Sequence, residues 1–395
     1  MENKSRVSVT IVNRYYPPNK SAIAEAANDL AIFLIENGCE VKIVHTDGDY
    51  PGGGETGKKI KGEQYIIPSF YDGQNKIIRL IGNLIEGFKL VRKAQKINEG
   101  VVIIMTNPML LNVWAGFILN RKKTPWLYWS MDLYPEGFVS SHLIKTSNPI
   151  YKYTFKRAYL KKPNGMIALG DIQAQYLKDK YKSDLPTVVL PCGVFLNNES
   201  TENTSNTLPS WKTDKHKIYF GYIGNLGQAH SIEFIKWTID NLDTKKHHLM
   251  LVVYGAKAHI IKAYIKDKTE GITLLDYMPR EELKHLDINM VSLISEWVNV
   301  CVPSKMVSAV HQGSAVLFFG SKACDSWQDH KSAGWLIDES DNPESQIMEF
   351  MKNISHEAIA EKKKKAKHLP ESMTENTLKA YHQIKELVGE ILRVN

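Results

Sequence analysis

Two short stretches of this chain carry the residue types that would hold a phosphate. Ile218-Tyr-Phe-Gly-Tyr-Ile-Gly-Asn-Leu-Gly-Gln-Ala-His230 reads as a buried strand over 218–223, a loop with Gly224 and Gly227, and a helix over 231–242. Glycine lets the backbone take positive φ and come close to a ligand. A helix that starts just past such a loop aims its N–H groups and positive dipole end at whatever sits there. Downstream, Pro303-Ser-Lys305 follows a strand over 290–294, and Lys305 adds a point charge of the right sign. The pair reads as a diphosphate grip. An ordinary strand–turn–helix with a solvated lysine fits the same residues.

A third stretch is acidic. Met131-Asp132-Leu-Tyr-Pro-Glu136 follows a strand over 126–130. In open α/β sheets, ligands bind outside the carboxyl ends of the strands. Asp132 can instead simply cap the next element.

The elements that must position these residues alternate along the chain. Strands over 7–12 and 41–46 flank a helix over 22–37, introduced by Lys20 or Ser21 and stopped by Gly38. That β-α-β opening implies a parallel sheet with a right-handed crossover. Strands over 101–105, 126–130, 165–169 and 187–190 continue the first half, with a helix over 171–181. A polar stretch over 197–215 has no periodicity and reads as a linker or exposed loop. Strands over 249–254, 272–275, 290–294, 315–319 and 335–337 repeat the rhythm, and an amphipathic helix over 377–394 ends the chain. The expectation is an α/β protein with two doubly wound domains: 1–195, a linker over 196–215, 216–370, and a C-terminal helix over 371–395 that packs back across the first domain.

A helix over 76–96 collects Ile77, Ile78, Leu80, Ile81, Leu84, Ile85, Phe88 and Val91 on one face. Lys76, Arg79, Lys89, Arg92, Lys93 and Lys96 make the rest basic. Packing on a sheet with the basic face in water accounts for this pattern. Peripheral contact with an anionic bilayer is the second reading. Gly52-Gly-Gly-Glu-Thr-Gly57-Lys58 matches the start of a phosphate-binding P-loop. Lys59 stands where that motif needs Ser or Thr for magnesium, and no helix start follows, so the segment reads as a surface loop.

Composition narrows the class. The 395 residues exceed one ordinary core, and a 43% hydrophobic, 24% charged composition is that of a globular protein. A net charge of +7 suits anionic partners, while no nucleic-acid-binding signature appears. Cys39, Cys192, Cys301 and Cys324 are scattered without a C-x-x-C, which argues against a metal site or disulfide framework and for a reducing compartment. The most apolar run, 109–119, is too short to span a bilayer, and no signal peptide is legible. A cytoplasmic protein, at most touching the inner membrane face, is expected.

At this point the residues resemble a known family. Tyr16-Pro-Pro18, Asp132-Leu-Tyr-Pro-Glu136, Leu190-Pro-Cys-Gly193, Gly224-Asn-Leu-Gly227 with Ala229-His230, Val302-Pro-Ser-Lys305, Gly313 and Gly334-Trp-Leu-Ile resemble, in order and spacing, the landmarks of GT-B glycosyltransferases. Within them the resemblance is to glycosyltransferase family 4, the branch that builds bacterial polysaccharides and similar glycoconjugates. It covers nearly the whole chain. It implies two Rossmann-like domains facing across a cleft. The C-terminal domain would bind a nucleotide-sugar donor, uridine-linked, and the N-terminal domain a glycan, lipid-linked or small-molecule acceptor. Transfer would proceed with retention, and no metal or other cofactor would be needed.

Carried over by position, Gly224, Asn225, Gly227 and Lys305 would hold the diphosphate, with His230 beside them or serving as a capping histidine. Tyr277 and Met278 would lie beside the base. Tyr16, Lys20, Asp132 and Glu136 would face the acceptor. Lys305 and Asp132 are the catalytic candidates, Asp132 as base if the reaction inverts. Two departures stand out. Ser308 occupies a position that is acidic in many members, and the acidic residue upstream is Glu296. The first loop, Asn19-Lys20-Ser21-Ala22, lacks the paired glycines of much of the family. A non-catalytic GT-B accessory or nucleotide-binding protein is the rival reading. A sugar-nucleotide epimerase would need an acidic and histidine cluster that the sequence does not assemble.

Overall fold

The computed structural model describes residues 7–19, 21–48, 60–70, 76–196 and 208–394. Lys20, the P-loop-like segment 52–58 and most of the polar stretch after 196 therefore lie outside the described residues. The chain divides into two compact units, one of Met1–Asn198, Asn299–Cys301 and Asn376–Asn395, the other of Glu199–Val298 and Val302–Glu375.

The first unit runs β1 (Ser8–Val12), α1 (Ala22–Glu36), β2 (Glu40–Thr46), β3 (Glu63–Ile67), α2 (Lys76–Ile97), β4 (Val101–Ile104), α3 (Leu111–Arg121), β5 (Trp126–Ser130), α4 (Glu136–Ser140), α5 (Pro149–Leu160), β6 (Gly165–Ala168), α6 (Asp171–Tyr181) and β7 (Thr187–Val189). Its seven strands are all parallel, in the order β3-β2-β1-β4-β5-β6-β7. Every residue of β1, β4, β5 and β6 is buried, which is why these strands read as continuous apolar runs rather than alternations. Strand order reverses between β1 and β4. Right-handed crossovers running towards β7 put α2, α3, α5 and α6 on one face, where each packs on the next. The first crossover runs the other way and puts α1 on the opposite face, where Phe33 meets Tyr381 with ring centroids 5.3 Å apart. The Ser21 hydroxyl caps α1, accepting from Ala24 N at 3.2 Å.

The second unit runs β8 (Ile218–Asn225), α7 (Ile232–Asp240), β9 (His247–Tyr254), α8 (Ala258–Tyr264), β10 (Ile272–Leu274), β11 (Ile288–Leu293), α9 (Ser304–His311), β12 (Ala315–Gly320), α10 (Asp325–His330), β13 (Gly334–Asp338), α11 (Pro343–Asn353) and α12 (His356–Ala366). The terminal helix α13 (Leu369–Val394) starts in this unit and ends in the first. Six parallel strands lie in the order β10-β9-β8-β11-β12-β13, so this sheet reverses between β8 and β11. Phe220, Tyr222, Phe234, Leu251, Leu317 and Phe319 fill its core.

Two features differ from the sequence expectation. Strand β3 was not anticipated: it is an edge strand with most residues exposed or half-buried, so it carries no apolar run to betray it. Helix α2 lies where expected, but its buried face is only partly the apolar one, sharing Val91 with it. Asn83, Glu86, Leu90, Val91 and Ala94 are buried, whereas Ile78, Leu80, Ile81 and Phe88 are exposed. Glu86 turns inward because buried Arg14 waits there, with Nε 3.2 Å from Oε2 and Nη1 donating to Asn83 Oδ1 at 2.8 Å.

Candidate functional site

The loop after β8 and the start of α9 meet at the point where the second sheet reverses. In doubly wound sheets that point is the ligand crevice. Gly224 has φ +122°, and a Cβ there would lie 3.0 Å from Lys305 Cε, so the lysine stem runs directly over a position that must be glycine. Lys305 Nζ donates to the Asn225 carbonyl and, at 3.3 Å, to the Tyr222 hydroxyl. It also sits 4.8 Å from the centre of the Tyr222 ring. Helix α9 begins at Ser304 after Pro303, and no side chain caps it. Its first N–H groups are of the kind that anions satisfy. By contrast, α7 is capped by Ser231, whose hydroxyl accepts from Phe234 N at 3.1 Å. The helix end best disposed to an anion is thus the one carrying Lys305, rather than the one directly after the glycine loop.

His230 joins this group. Its Nδ1 lies 2.6 Å from the Ser292 carbonyl, which can only accept, so Nδ1 carries the proton. Nε2 is then an acceptor, 3.3 Å from Lys305 Nζ. Burial, then the charges of Lys305 and Lys257, hold the imidazole pKa well below its ordinary value. The histidine is therefore neutral at neutral pH and fixes the lysine head from one side. Lys257 clasps the loop from the other, donating to the Gln228 carbonyl at 3.1 Å and the His230 carbonyl at 2.8 Å. Burial lowers its pKa, opposed by Glu296. Gly255, at φ +95°, leaves room for Asn225: a Cβ would stand 2.0 Å from Asn225 Oδ1.

The remaining donor-side candidates spread out. Tyr277 is exposed, whereas Met278 is buried in a core cluster with Tyr219, Leu283 and Leu286. Ser308 is buried one turn along α9 from Ser304. Glu296 is exposed in the short 3-10 turn Ser295–Trp297. Gly227 closes the loop turn, its carbonyl accepting from His230 N at 3.2 Å.

In the first unit the candidates separate by depth. Asp132 follows β5 and is half-buried; its backbone N–H donates to Thr106 Oγ1 at 3.1 Å. Burial pushes its carboxyl pKa up to about 6. Glu136, four residues on, turns inward instead. Its Oε1 accepts from the hydroxyls of Tyr159 and, at 3.0 Å, Tyr176. Tyr16 is also a core residue, only 1% exposed, with its hydroxyl 3.0 Å from Asn28 Oδ1 and 3.0 Å from the Lys61 carbonyl. Both were expected to face a ligand, and both are held by packing partners.

Three residues in contact with Lys305 or His230 escaped the sequence reading: Tyr222, Ser292 and Lys257. The first two are buried strand residues, Tyr222 within the 218–230 stretch and Ser292 within the strand over 290–294, whose residue types carry no signal of their own. Lys257 had a signal, since it comes two residues after the glycine that ends β9, the strand beside β8.

No family model and no curated protein sequence matches the chain. Solved structures do. Sucrose-phosphate synthase from Thermosynechococcus elongatus superposes with a TM-score of 0.70 at 12% identity, over 99% of this chain and 100% of that one. WaaG, a glycosyltransferase involved in lipopolysaccharide biosynthesis, gives 0.67 at 13% identity, over 94% and 98%. HepE from Anabaena, solved in complex with UDP and glucose, gives 0.62 at 12% identity, over 98% and 100%. At such identities the likeness shows the fold: the two parallel, doubly wound sheets of this chain form the GT-B architecture.

Proposed function

We propose that the chain is a glycosyltransferase of the family 4 type, moving a sugar from a nucleoside-diphosphate sugar, uridine-linked, to a glycan, lipid-linked or small-molecule acceptor. The observation that carries the reading is Lys305, seated over Gly224 at an uncapped helix start and flanked by neutral His230. A departing nucleoside diphosphate gains negative charge in the transition state. Donors already aimed at that place stabilise it without reorganising. Lys305, the α9 N–H groups and the loop backbone at Gly224, Asn225 and Gly227 supply them, which is why no metal is invoked. The acceptor belongs to the first unit, with Asp132 its catalytic candidate. Retention of configuration is proposed from the family resemblance, since a retaining front-face route needs no strong base. The complex of HepE with UDP and glucose supports a uridine donor.

Release of nucleoside diphosphate from a panel of nucleotide sugars, with chelator present, tests this. Lys305→Ala should lower kcat/KM on the active donor by about a hundredfold or more. Turnover unchanged in that variant contradicts the assignment. Ser308, buried where many family members have an acidic residue, favours a second reading, a nucleotide-binding GT-B protein that does not transfer. Tight nucleotide binding without turnover of any donor would select it.

A further inference from the structure

We infer that the free edge of the second unit's sheet carries a saccharide-binding groove. The groove has a volume of about 420 Å³ and runs beside β13, the last strand of that sheet. Three strand spacings, about 14 Å, separate β13 from β8. The site is therefore distinct from the diphosphate crevice and does not rest on the reading given to that crevice. The first observation is the lining, which mixes aromatic faces with charged heads. Trp327, Trp335 and Phe350 supply the faces, and Lys331, Glu349 and Lys362 the charges. Both indoles are half-buried, and each is held by a second ring. Trp335 meets Phe350 edge-on with centroids 5.4 Å apart, and Trp327 lies parallel to Phe318 at 6.2 Å. Lys362 Nζ stands 5.6 Å from the centre of the Trp335 ring. Among the described residues, neither indole N–H has a hydrogen-bond partner.

The state of the strand edge is the second observation. Glu339 N donates inward to the Gly320 carbonyl at 3.2 Å, so by alternation Gly334, Leu336 and Asp338 turn their N–H and C=O groups outward. Gln346 closes one end. Its Oε1 accepts from Asp338 N and its Nε2 donates to the Asp338 carbonyl, both at 3.0 Å, where a further strand would otherwise pair. At the other end Gly334 N donates to the Lys331 carbonyl of the preceding turn. Among the described residues, Leu336 alone on this edge keeps both backbone groups open.

An extended peptide adds to a sheet through a run of backbone pairs, and one open residue does not offer a run. A purely apolar ligand would leave the lysine and glutamate heads without use. A pyranose satisfies the groove as it stands. Its C–H face carries slight positive charge and suits the negative face of an indole. Its hydroxyls each donate and accept. They match the Leu336 N–H and C=O, the open indole N–H groups, the Glu349 carboxylate and the two lysine heads.

Fluorine NMR of the whole protein labelled with fluorotryptophan tests this. The chain has 8 tryptophans, and Trp327→Phe and Trp335→Phe assign the two resonances concerned. The probes are maltotriose, chitotriose and a galacturonic acid trimer. At least one is expected to shift both resonances saturably and leave the others in place. Trp335→Ala should weaken that binding about tenfold, read at Trp327. Trp335 also packs on the core, so a second variant at the rim is needed. Glu349→Ala with Lys362→Ala should weaken binding about fivefold with thermal unfolding as in the parent. Lys305→Ala, in the other crevice, should bind the sugar as the parent does. Resonances that none of the three sugars moves, parent affinity in the rim variant, or loss of binding in Lys305→Ala overturns the inference. So does a response to an acidic pentapeptide and to none of the sugars.

Discussion

Both sheets reverse direction once, and the two reversal points use their cations in opposite ways. After β1 the first unit places Arg14, only 5% exposed and locked between Glu86 and Asn83. After β8 the second unit places a glycine, and Lys305 reaches over it to a backbone carbonyl, a tyrosine hydroxyl and a neutral imidazole. The topology provides a crevice in each case. What fills it differs: an ion pair that joins strand to helix in one, and a cation seated beside an uncapped helix start in the other. A shared architecture therefore does not imply a shared ligand, and the chemistry has to be read from side chains.

The contrast can be broken most forcefully at the buried pair. Glu86→Ala leaves Arg14 buried without its carboxylate, and should destabilise the first unit by about 3–5 kcal/mol. The check is the shift of its unfolding transition in urea, and nucleotide affinity measured below that transition should not change. Loss of affinity in parallel with stability would mean the two crevices are not separable.

Asp132 sharpens the comparison through pH. Its folded pKa of about 6 is above its ordinary 3.8, so the folded state holds the proton more tightly than the unfolded chain. Stability associated with this group is full below about pH 4 and is lost as pH rises through 6. Asp132→Asn should therefore stabilise the protein at pH 7 by up to about 3 kcal/mol, less the part that solvent already screens at a half-buried group. It should have no such effect near pH 4. Thermal unfolding at the two pH values checks the sign. If Asp132 acts as a base, the same substitution removes a limb of the pH–rate profile centred near 6.

A smaller effect is expected at Lys257. It ties two loop carbonyls and lies a step further from the Gly224 position. Lys257→Ala should weaken nucleoside diphosphate binding by about fivefold, the value of one ordinary hydrogen-bond contribution. A loss larger than that of Lys305→Ala would shift the centre of the site to the β9 side.

The architecture was largely legible because parallel strands buried on both faces leave apolar runs, and β1, β4, β5, β8 and β11 all do. Strand β3 left none, because an edge strand with exposed glutamate and glutamine need not be apolar. The face of α2 was misread for a physical reason. Periodicity reports which side of a helix is apolar, yet here the buried side is set by Arg14, whose partner Glu86 is distant in sequence. In the site, the glycines and Lys305 were legible as residue types with an obvious use. Glu136 and Tyr16 look identical on paper to solvent-facing residues, and only the tyrosines and the Asn28 amide packed against them show that they point inward. Lys257 had one signal, its place just after the glycine that ends β9, but its role depends on β9 lying beside β8, which the strand pairing establishes.

The central claim is that the crevice at β8 and α9 binds a diphosphate through Lys305. Calorimetric titration of the purified protein with UDP, GDP, ADP and dTDP, in chelator, tests it most directly. The account predicts that one of them binds and that Lys305→Ala weakens it by at least about tenfold while leaving thermal unfolding unchanged. Binding of none of the four, or equal binding by the variant, would contradict it.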